Sequence, residues 1–343
     1  MKITTIGVDL AKNVFAIHGV DVKGNVVVQR TLRRAQVLPF FARLEPCVIG
    51  MEACSTAQYW SRKLMELGHE VRLMPPLYVK AYVKRGKSDG IDAGACCEAV
   101  TRPAMRFVPV KSEKEQGFAT LHRARAALVR QKTRITNIIR SLCAEFGIVA
   151  AKGLPPDIEA IIADENDTRL PADAHFALQP LLKLAESLRL EIGRFDRKIA
   201  KRCQSDAACI RLQTIPGIGP ITASALVASV GDVKRFKCGR DLAAWMGLTP
   251  KANATGGKNR CGPISKQGDR YLRSLFVQGA ASIVKRAHDP RARNVTPGLR
   301  QLLARKKPKV AIVAHANRMA RIAWAVLAKN EDYSTAYHQK AAA

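Results

Sequence analysis

Four carboxylates in this chain stand where they could hold divalent cations. Asp9 closes the apolar run Ile6-Gly7-Val8-Asp9, and Glu52 closes a second, Val48-Ile49-Gly50-Met51-Glu52. Asp89 and Asp92 lie three apart in Lys87-Ser88-Asp89-Gly90-Ile91-Asp92-Ala93, a spacing that puts both on one helix face. Acids that end buried strands call for a partner, and a pair of divalent cations supplies one. Such a pair takes carboxylates from several elements and can clamp the attacking and leaving oxygens of a phosphodiester. Taken singly the acids have plainer readings, Asp9 as a strand-end hydrogen bonder and Asp89 with Asp92 as a solvated first turn or N-cap. Their strand, strand, helix order makes metal binding by Asp9, Glu52, Asp89 and Asp92 the more specific reading.

Two further stretches suit phosphate. Ile215-Pro216-Gly217-Ile218-Gly219-Pro220, followed by the small-residue segment Ile221 to Val230, reads as a helix-hairpin-helix. Gly217 and Gly219 would let backbone N–H groups approach phosphate, and the next helix N-terminus adds its dipole. A plain helix-to-helix turn is the alternative. Gly247-Leu248-Thr249-Pro250 then opens a stretch, Lys251 to Gly268, loaded with glycine and cations. It holds Thr255-Gly256-Gly257-Lys258-Asn259-Arg260 and runs on through Ile264-Ser265-Lys266-Gln267-Gly268-Asp269-Arg270 toward Arg273. A hydroxyl on a flexible loop among Lys258 and Arg260 could attack phosphorus while cations hold the phosphate oxygens. Phosphate docking without attack fits the same residues equally well. Ser265, Lys266, Arg270 and Arg273 belong to the phosphate-holding set on either reading.

The elements that must position these groups fall into three parts. Residues 1–110 read as α/β: a buried strand over Ile3 to Asp9, a hairpin of Val14 to Val20 and Asn25 to Arg30 about a turn at Gly24, and a strand over Cys47 to Glu52. A helix over Thr56 to Leu67 stops at Gly68, and a strand over Val71 to Met74 follows. That order fits a ribonuclease H-like layer fold, and no Gly-rich phosphate loop follows the first strand as a generic nucleotide-binding domain would require. Residues 111–205 read as helical. Leu121, Ala124, Leu128, Gln131, Ile135, Ile138 and Leu142 keep a three-four spacing, which returns at Leu178, Leu181, Ala185, Leu188, Ile192, Phe195 and Ile199. Two such runs predict an antiparallel pair of long helices, an oligomer seam, or simple core helices. Residues 206–343 read as mainly helical, with a helix over Arg270 to Arg286, a basic Pro-containing interruption from Asp289 to Lys309, and a last amphipathic helix over Val310 to Lys329.

Charge narrows the partner. Lys plus Arg number 57 against 28 Asp plus Glu, a net charge of +29 that exceeds what solubility requires and points to a polyanion. The basic residues fall in separate blocks, which a generic basic surface does not explain. The nine cysteines are odd in number and form no C-x-x-C pair, so neither a zinc site nor a disulfide framework is expected and a reducing cytoplasm is the simplest compartment. The start of the chain enters a strand without a signal-peptide apolar region, and no apolar run is long enough to span a membrane.

Together these motifs resemble the bridge-RNA-guided DEDD transposases of insertion-sequence family 110. The likeness runs nearly end to end, through G-V-D-L-A-K-N, G-M-E-A-C, K-S-D-G-I-D-A, I-P-G-I-G, G-L-T-P, T-G-G-K-N-R, I-S-K-Q-G-D-R-Y-L-R and A-N-R-M-A-R-I-A-W-A. It implies a RuvC-like catalytic domain whose metal-binding acids correspond to Asp9, Glu52, Asp89 and Asp92, a coiled-coil spacer, and a C-terminal transposase domain. It also implies DNA cleavage and rejoining through a covalent protein–DNA intermediate in a composite site with the acids. Donor and target DNA, a structured non-coding guide RNA, Mg²⁺ and a homo-oligomer built as a dimer of dimers are the implied partners, in the cytoplasm at the nucleoid. One position departs from the pattern: the family's nucleophilic serine is Thr255 here, preceded by Ala254. The extra methyl restricts χ1 and crowds in-line attack. Thr255 attacking, Ser265 substituting for it, and an impaired copy all remain open. So do a metal-dependent junction nuclease using water and a non-catalytic nucleic-acid-binding scaffold.

Overall fold

The computed structural model describes residues 2–83, 86, 88–255, 258–287, 289, 291–292 and 295–334, without the side chains of 252, 254–255 and 258–261. The chain divides into two compact units, 1–116 and 117–343.

The first unit is built on a five-stranded sheet of β1 (Thr5–Leu10), β2 (Val14–Val20), β3 (Val26–Arg33), β4 (Val48–Glu52) and β5 (Glu70–Met74), in the order β3-β2-β1-β4-β5. β1, β2 and β3 pair antiparallel; β4 and β5 add to the other side of β1 in parallel. Parallel strands covered on both faces explain the continuous apolar runs before Asp9 and Glu52. Ile6, Val8, Ile49 and Met51 point to one face, where α1 (Val37–Phe41) and α2 (Ala57–Glu66) bring Phe41, Trp60 and Leu64 into a shared core. The short α3 (Pro76–Val79) leads on to α4 (Asp89–Val100), which packs on the opposite face through Ala95, Cys96, Ala99 and Val100. Strands, hairpin and helix lie within three residues of where the sequence places them.

The second unit is mostly helical. α5 (Glu113–Glu145) and α7 (Ala172–Gln204), each of 33 residues, flank the short α6 (Pro156–Ala163). They run antiparallel: Arg125 of α5 pairs with Asp196 of α7, Arg202 lies over the Phe118 ring, and Ile139 and Cys143 share a core with Leu178. The seam predicted for α7 holds, with Leu178, Ala185 and Ile199 buried and the other four positions partly buried. The seam predicted for α5 is displaced. Its buried positions are Phe118, Ala119, His122, Ala126, Ile135, Ile139 and Cys143, whereas Gln131 and Ile138 are exposed. A histidine and a cysteine take the inward places that an apolar count assigns elsewhere.

Beyond α7 come α8 (Ala207–Gln213), α9 (Pro220–Val230) and α10 (Gly239–Trp245), then a hairpin of β6 (Pro250–Thr255) and β7 (Lys258–Ile264). α11 (Arg270–Lys285), α12 (Pro297–Arg305) and α13 (Pro308–Lys329) complete the unit. Leu212, Leu226, Leu242, Leu272, Phe276 and Met319 join α8, α9, α10, α11 and α13 in one core, and Leu299 of α12 packs in a smaller one with Ile283 and Ala311. Two expectations are corrected here. The stretch from Lys251 to Gly268 is largely a two-stranded ladder, because Gly256-Gly257 between β-capable runs is a hairpin signal. The basic interruption from Asp289 to Lys309 contains α12, whose Thr296 side chain accepts from the Leu299 N–H while Pro297 takes the first helical position. Among the described residues no helix is long and apolar enough to cross a membrane.

Candidate active site

The acids come together because two strands lack side chains where a helix must lie. Gly7 of β1 and Gly50 of β4 are register partners, so Asp9 and Glu52, two residues further on, emerge on the same face of adjacent strands. α4 rests on those glycines. A Cβ on Gly7 would come within 2.0 Å of the Ala93 carbonyl oxygen and 2.3 Å of the Cys97 nitrogen. A Cβ on Gly50 would lie 2.7 Å from the Val100 Cβ and 2.9 Å from the Cys96 carbonyl oxygen. Ser88 caps the helix by accepting from the Ile91 N–H, which leaves Asp89 and Asp92 in the first turn, where a helix N-terminus favours negative charge.

The result is a cluster of carboxylates in which the pKa values of Asp9 and Glu52 are raised. Burial holds the Asp9 carboxyl above its ordinary pKa, and the Asp92 and Asp89 carboxylates push it further. Burial, then Asp9 and then Asp92, do the same to Glu52. None of the four acids is in an ion pair with Lys or Arg among the described residues. Hard oxygen donors with unpaid mutual repulsion are what a Mg²⁺-type cation neutralises. Among the described residues, however, no three acid, histidine or cysteine side chains already form a metal-holding group. The acids are neighbours that repel, and not a closed cage.

The Ile215–Pro220 motif separates its two glycines. Gly217 has φ +86°, and a Cβ there would meet the Met319 Cε at 2.9 Å and the Gly279 carbonyl oxygen at 3.0 Å. Its missing side chain therefore serves packing against α11 and α13. Gly219 is exposed, precedes α9 as its N-cap, and has open space where a Cβ would stand.

The cations expected around the hairpin also divide. Thr255 ends β6 opposite Lys258 of β7, and the side chains of Thr255, Lys258 and Arg260 lie outside the described residues. Ser265 is partly buried with its N–H donating to the Thr249 carbonyl; Lys266 and Arg270 are exposed. Arg273 is partly buried, and its Nη1 donates to the carbonyls of Met246 at 2.9 Å and Gln267 at 2.8 Å.

Apolar counting misses the buried polar groups of this unit, among them His122 of α5. Its Nε2 lies 3.2 Å from the Ser224 Oγ and its Nδ1 3.4 Å from the Tyr271 hydroxyl. Ser224 in turn donates to the Pro220 carbonyl at 2.6 Å. Burial, reinforced by the Arg125 and Arg202 charges, drops the imidazole to about 4, so it is neutral at physiological pH. That state needs N–H at Nε2 donating to Ser224 and Nδ1 accepting from Tyr271. The network fastens α5 to α9 and α11.

A sheet with clustered strand-end acids, joined in one chain to a basic helical unit, defines a protein that works on nucleic-acid phosphodiesters. Family comparison gives the particular kind. Residues 6–147 match the DEDD transposase model of IS110 elements, and residues 209–296 match the transposase IS116/IS110/IS902 family. The chain is 45% identical to a probable family 20 transposase of Pseudomonas aeruginosa, over 97% of this chain and 99% of that one. It is 37% identical to the transposase for insertion sequence element IS1328 of Yersinia enterocolitica, over 97% and 99%. It is 35% identical to the transposase for IS1111A of Coxiella burnetii, over 96% and 91%. The chain belongs to the IS110/IS116 family of insertion-sequence transposases, enzymes that cut and rejoin DNA.

Proposed function

We propose that this transposase joins DNA strands by two transesterifications at a hydroxyl side chain, assisted by divalent metal and directed by a structured guide RNA. The observation that carries the metal part is that burial, and then the repulsion of neighbouring acids, raises the Asp9 and Glu52 carboxyls, and that among the described residues none of the four acids is in an ion pair with Lys or Arg. Asp9, Glu52, Asp89 and Asp92 would hold Mg²⁺, which polarises a scissile phosphate when bound. The sheet order β3-β2-β1-β4-β5, with Asp9 next to the end of β1 and Glu52 at the end of β4, supports a ribonuclease H-like, RuvC-like domain.

Thr255 is the proposed nucleophile. Its Oγ forms a bond to phosphorus as the P–O bond to one DNA strand breaks; the hydroxyl proton leaves Thr255 and the departing oxygen gains one. The hydroxyl of a second strand then attacks the threonyl phosphate, restoring Thr255 and sealing the new junction. Lys258, Arg260, Lys266 and Arg270 would hold phosphate oxygens, and exposed Gly219 would offer backbone N–H groups to the duplex. Residues 111–205 act as a helical spacer between catalytic and transposase domains, in an assembly built as a dimer of dimers. The RNA guide rests on the motif resemblance and on the net charge of +29, which suits RNA as well as DNA.

Denatured reaction mixtures test the nucleophile. They should contain protein covalently joined to DNA through residue 255. Thr255→Ala should be inactive, and Thr255→Ser active and faster, because the crowding methyl is gone. An adduct mapped to Ser265 would move the nucleophile there. A fully active Thr255→Ala protein with no adduct would mean that water is the attacking group, as in a junction nuclease.

A further inference from the structure

The β6–β7 hairpin leaves the second unit from one root, and that root is closed by backbone. Incoming Trp245–Thr249 and outgoing Ser265–Gly268 lie directly against each other. The Ser265 N–H donates to the Thr249 carbonyl at 2.8 Å and the Lys266 N–H to the Gly247 carbonyl at 3.2 Å. Two left-handed glycines permit this approach. A Cβ on Gly247 (φ +70°) would stand 2.1 Å from the Gln267 carbonyl oxygen, and one on Gly268 (φ +76°) 1.9 Å from that of Trp245. Lys266 itself is held at φ +55°, a conformation that a non-glycine residue keeps only when its surroundings impose it.

Arg273 spans the two segments. One guanidinium nitrogen, Nη1, donates to Met246 on the way in and to Gln267 on the way out. Its two N–H bonds are both spent. The helix that bears Arg273 starts where the hairpin returns, with the Asp269 carboxylate accepting from the Tyr271 and Leu272 N–H groups. α13 adds a third tie, Asn317 Nδ2 donating to the Leu248 carbonyl at 3.2 Å. Sequence spacing makes Arg273 one more phosphate-holding cation; its bonds give it other work.

We propose that Arg273 is a positioning residue that braces the root of the hairpin, and so sets the aim of residue 255 at its far end. The proposal rests on the reading of the hairpin as bearer of the attacking hydroxyl. Leverage is the physical reason. Six residues of β6 extend about 20 Å at about 3.4 Å per residue, so a tilt of about 3° at the root moves the tip by about 1 Å. A misplacement of about 1 Å at a reacting atom slows a reaction about 100-fold without any lost contact to substrate.

The test compares Arg273→Gln, which removes the charge, with Arg273→Lys, which keeps it on a shorter side chain without the planar fork. Both are made in the full chain, and folding is checked by thermal melting. Donor DNA affinity is measured against salt, and strand joining in single turnover at saturating DNA. A brace predicts wild-type affinity and salt slope for both variants, with joining slowed about 100-fold in both. A phosphate ligand predicts that Gln weakens affinity and flattens the log–log salt slope by about 0.9 while Lys largely preserves both. That result, or joining at the wild-type rate in both variants, overturns the proposal. Should Arg273→Gln fail to fold, Arg273→Lys and Asn317→Ala, which loosens the same root from α13, give the same reading. Thr255→Ala that still joins strands would remove the hydroxyl reading separately, and the Arg273 comparison would still be scored on joining rate.

Discussion

Asp9 and Glu52 are held where carboxylates ionise reluctantly. Burial comes first and neighbouring acids second in raising both. A carboxyl whose pKa is higher folded than unfolded binds its proton more tightly in the fold. Its stabilising contribution is therefore full below the ordinary carboxylate range and is lost as pH rises through the raised value. Above the raised values the acids are ionised in both states, and the folded chain bears the cost of burial and the repulsion. Asp9→Asn should thus raise the melting temperature in metal-free buffer while reducing recombination by orders of magnitude. Mg²⁺ should stabilise the wild type more than the variant, since a ligand that binds only the folded state stabilises it by mass action. Calorimetry with and without Mg²⁺ decides the matter. A lower melting temperature for Asp9→Asn, with the same response to Mg²⁺ as wild type, would remove the metal assignment.

Elements show what sequence could and could not reveal. The strands ending in Asp9 and Glu52, the Gly24 turn and the helix start at Asp89 were legible because each has a local cause: alternation, turn chemistry or a cap. The glycines under α4 carry no such signal. Gly7 and Gly50 look like weak points in a strand until the helix is seen to need their space. α7 was legible because its inward residues from Leu178 to Ile199 are apolar, although His175 before them is buried too. α5 was not, because a buried His122 is tolerated only with Ser224 and Tyr271 as partners, about 100 and 150 positions away in the chain. The ties of Arg273 were hidden for a related reason: the Met246 and Gln267 carbonyls that its Nη1 meets lie on segments that only the fold sets side by side. The displaced α5 seam has a simple consequence. Ile139 is fully buried and its neighbour Ile138 is 38% exposed. Ile139→Ala should destabilise the second unit by about 2–5 kcal/mol, from lost burial and the cavity left behind. Ile138→Ala should shift it by no more than about 0.5 kcal/mol. Denaturant unfolding of the full chain checks both, and equal losses would restore the seam through Ile138.

At the scale of the whole molecule, charge sets the strength of grip and leaves sequence choice to something else. With 28 acids against 57 cations, more than half the Lys and Arg side chains have no acid to pair with even one to one. The ion pairs that do form are mostly exposed, such as Lys63–Glu66 and Arg194–Glu191, and contribute little. Unpaired cations gather in places such as the α12–α13 turn, where Arg305, Lys306, Lys307 and Lys309 are all exposed. Such a surface binds phosphate backbones by releasing their counterions, with no preference among sequences. Binding to random duplex DNA should therefore be tight at low salt and fall by about 10³-fold or more between about 50 and 200 mM salt, as for about six or more phosphate contacts. Neutralising Lys306, Lys307 and Lys309 together should flatten the log–log slope by up to about 2.7, the about 0.9 per phosphate expected if each meets one. The loss should be the same on unrelated sequences. Fluorescence titrations at several salt concentrations, on two unrelated duplexes and a structured RNA, give the answer. An unchanged slope would show that these lysines meet no backbone, and a loss confined to one sequence would give the turn a part in target choice.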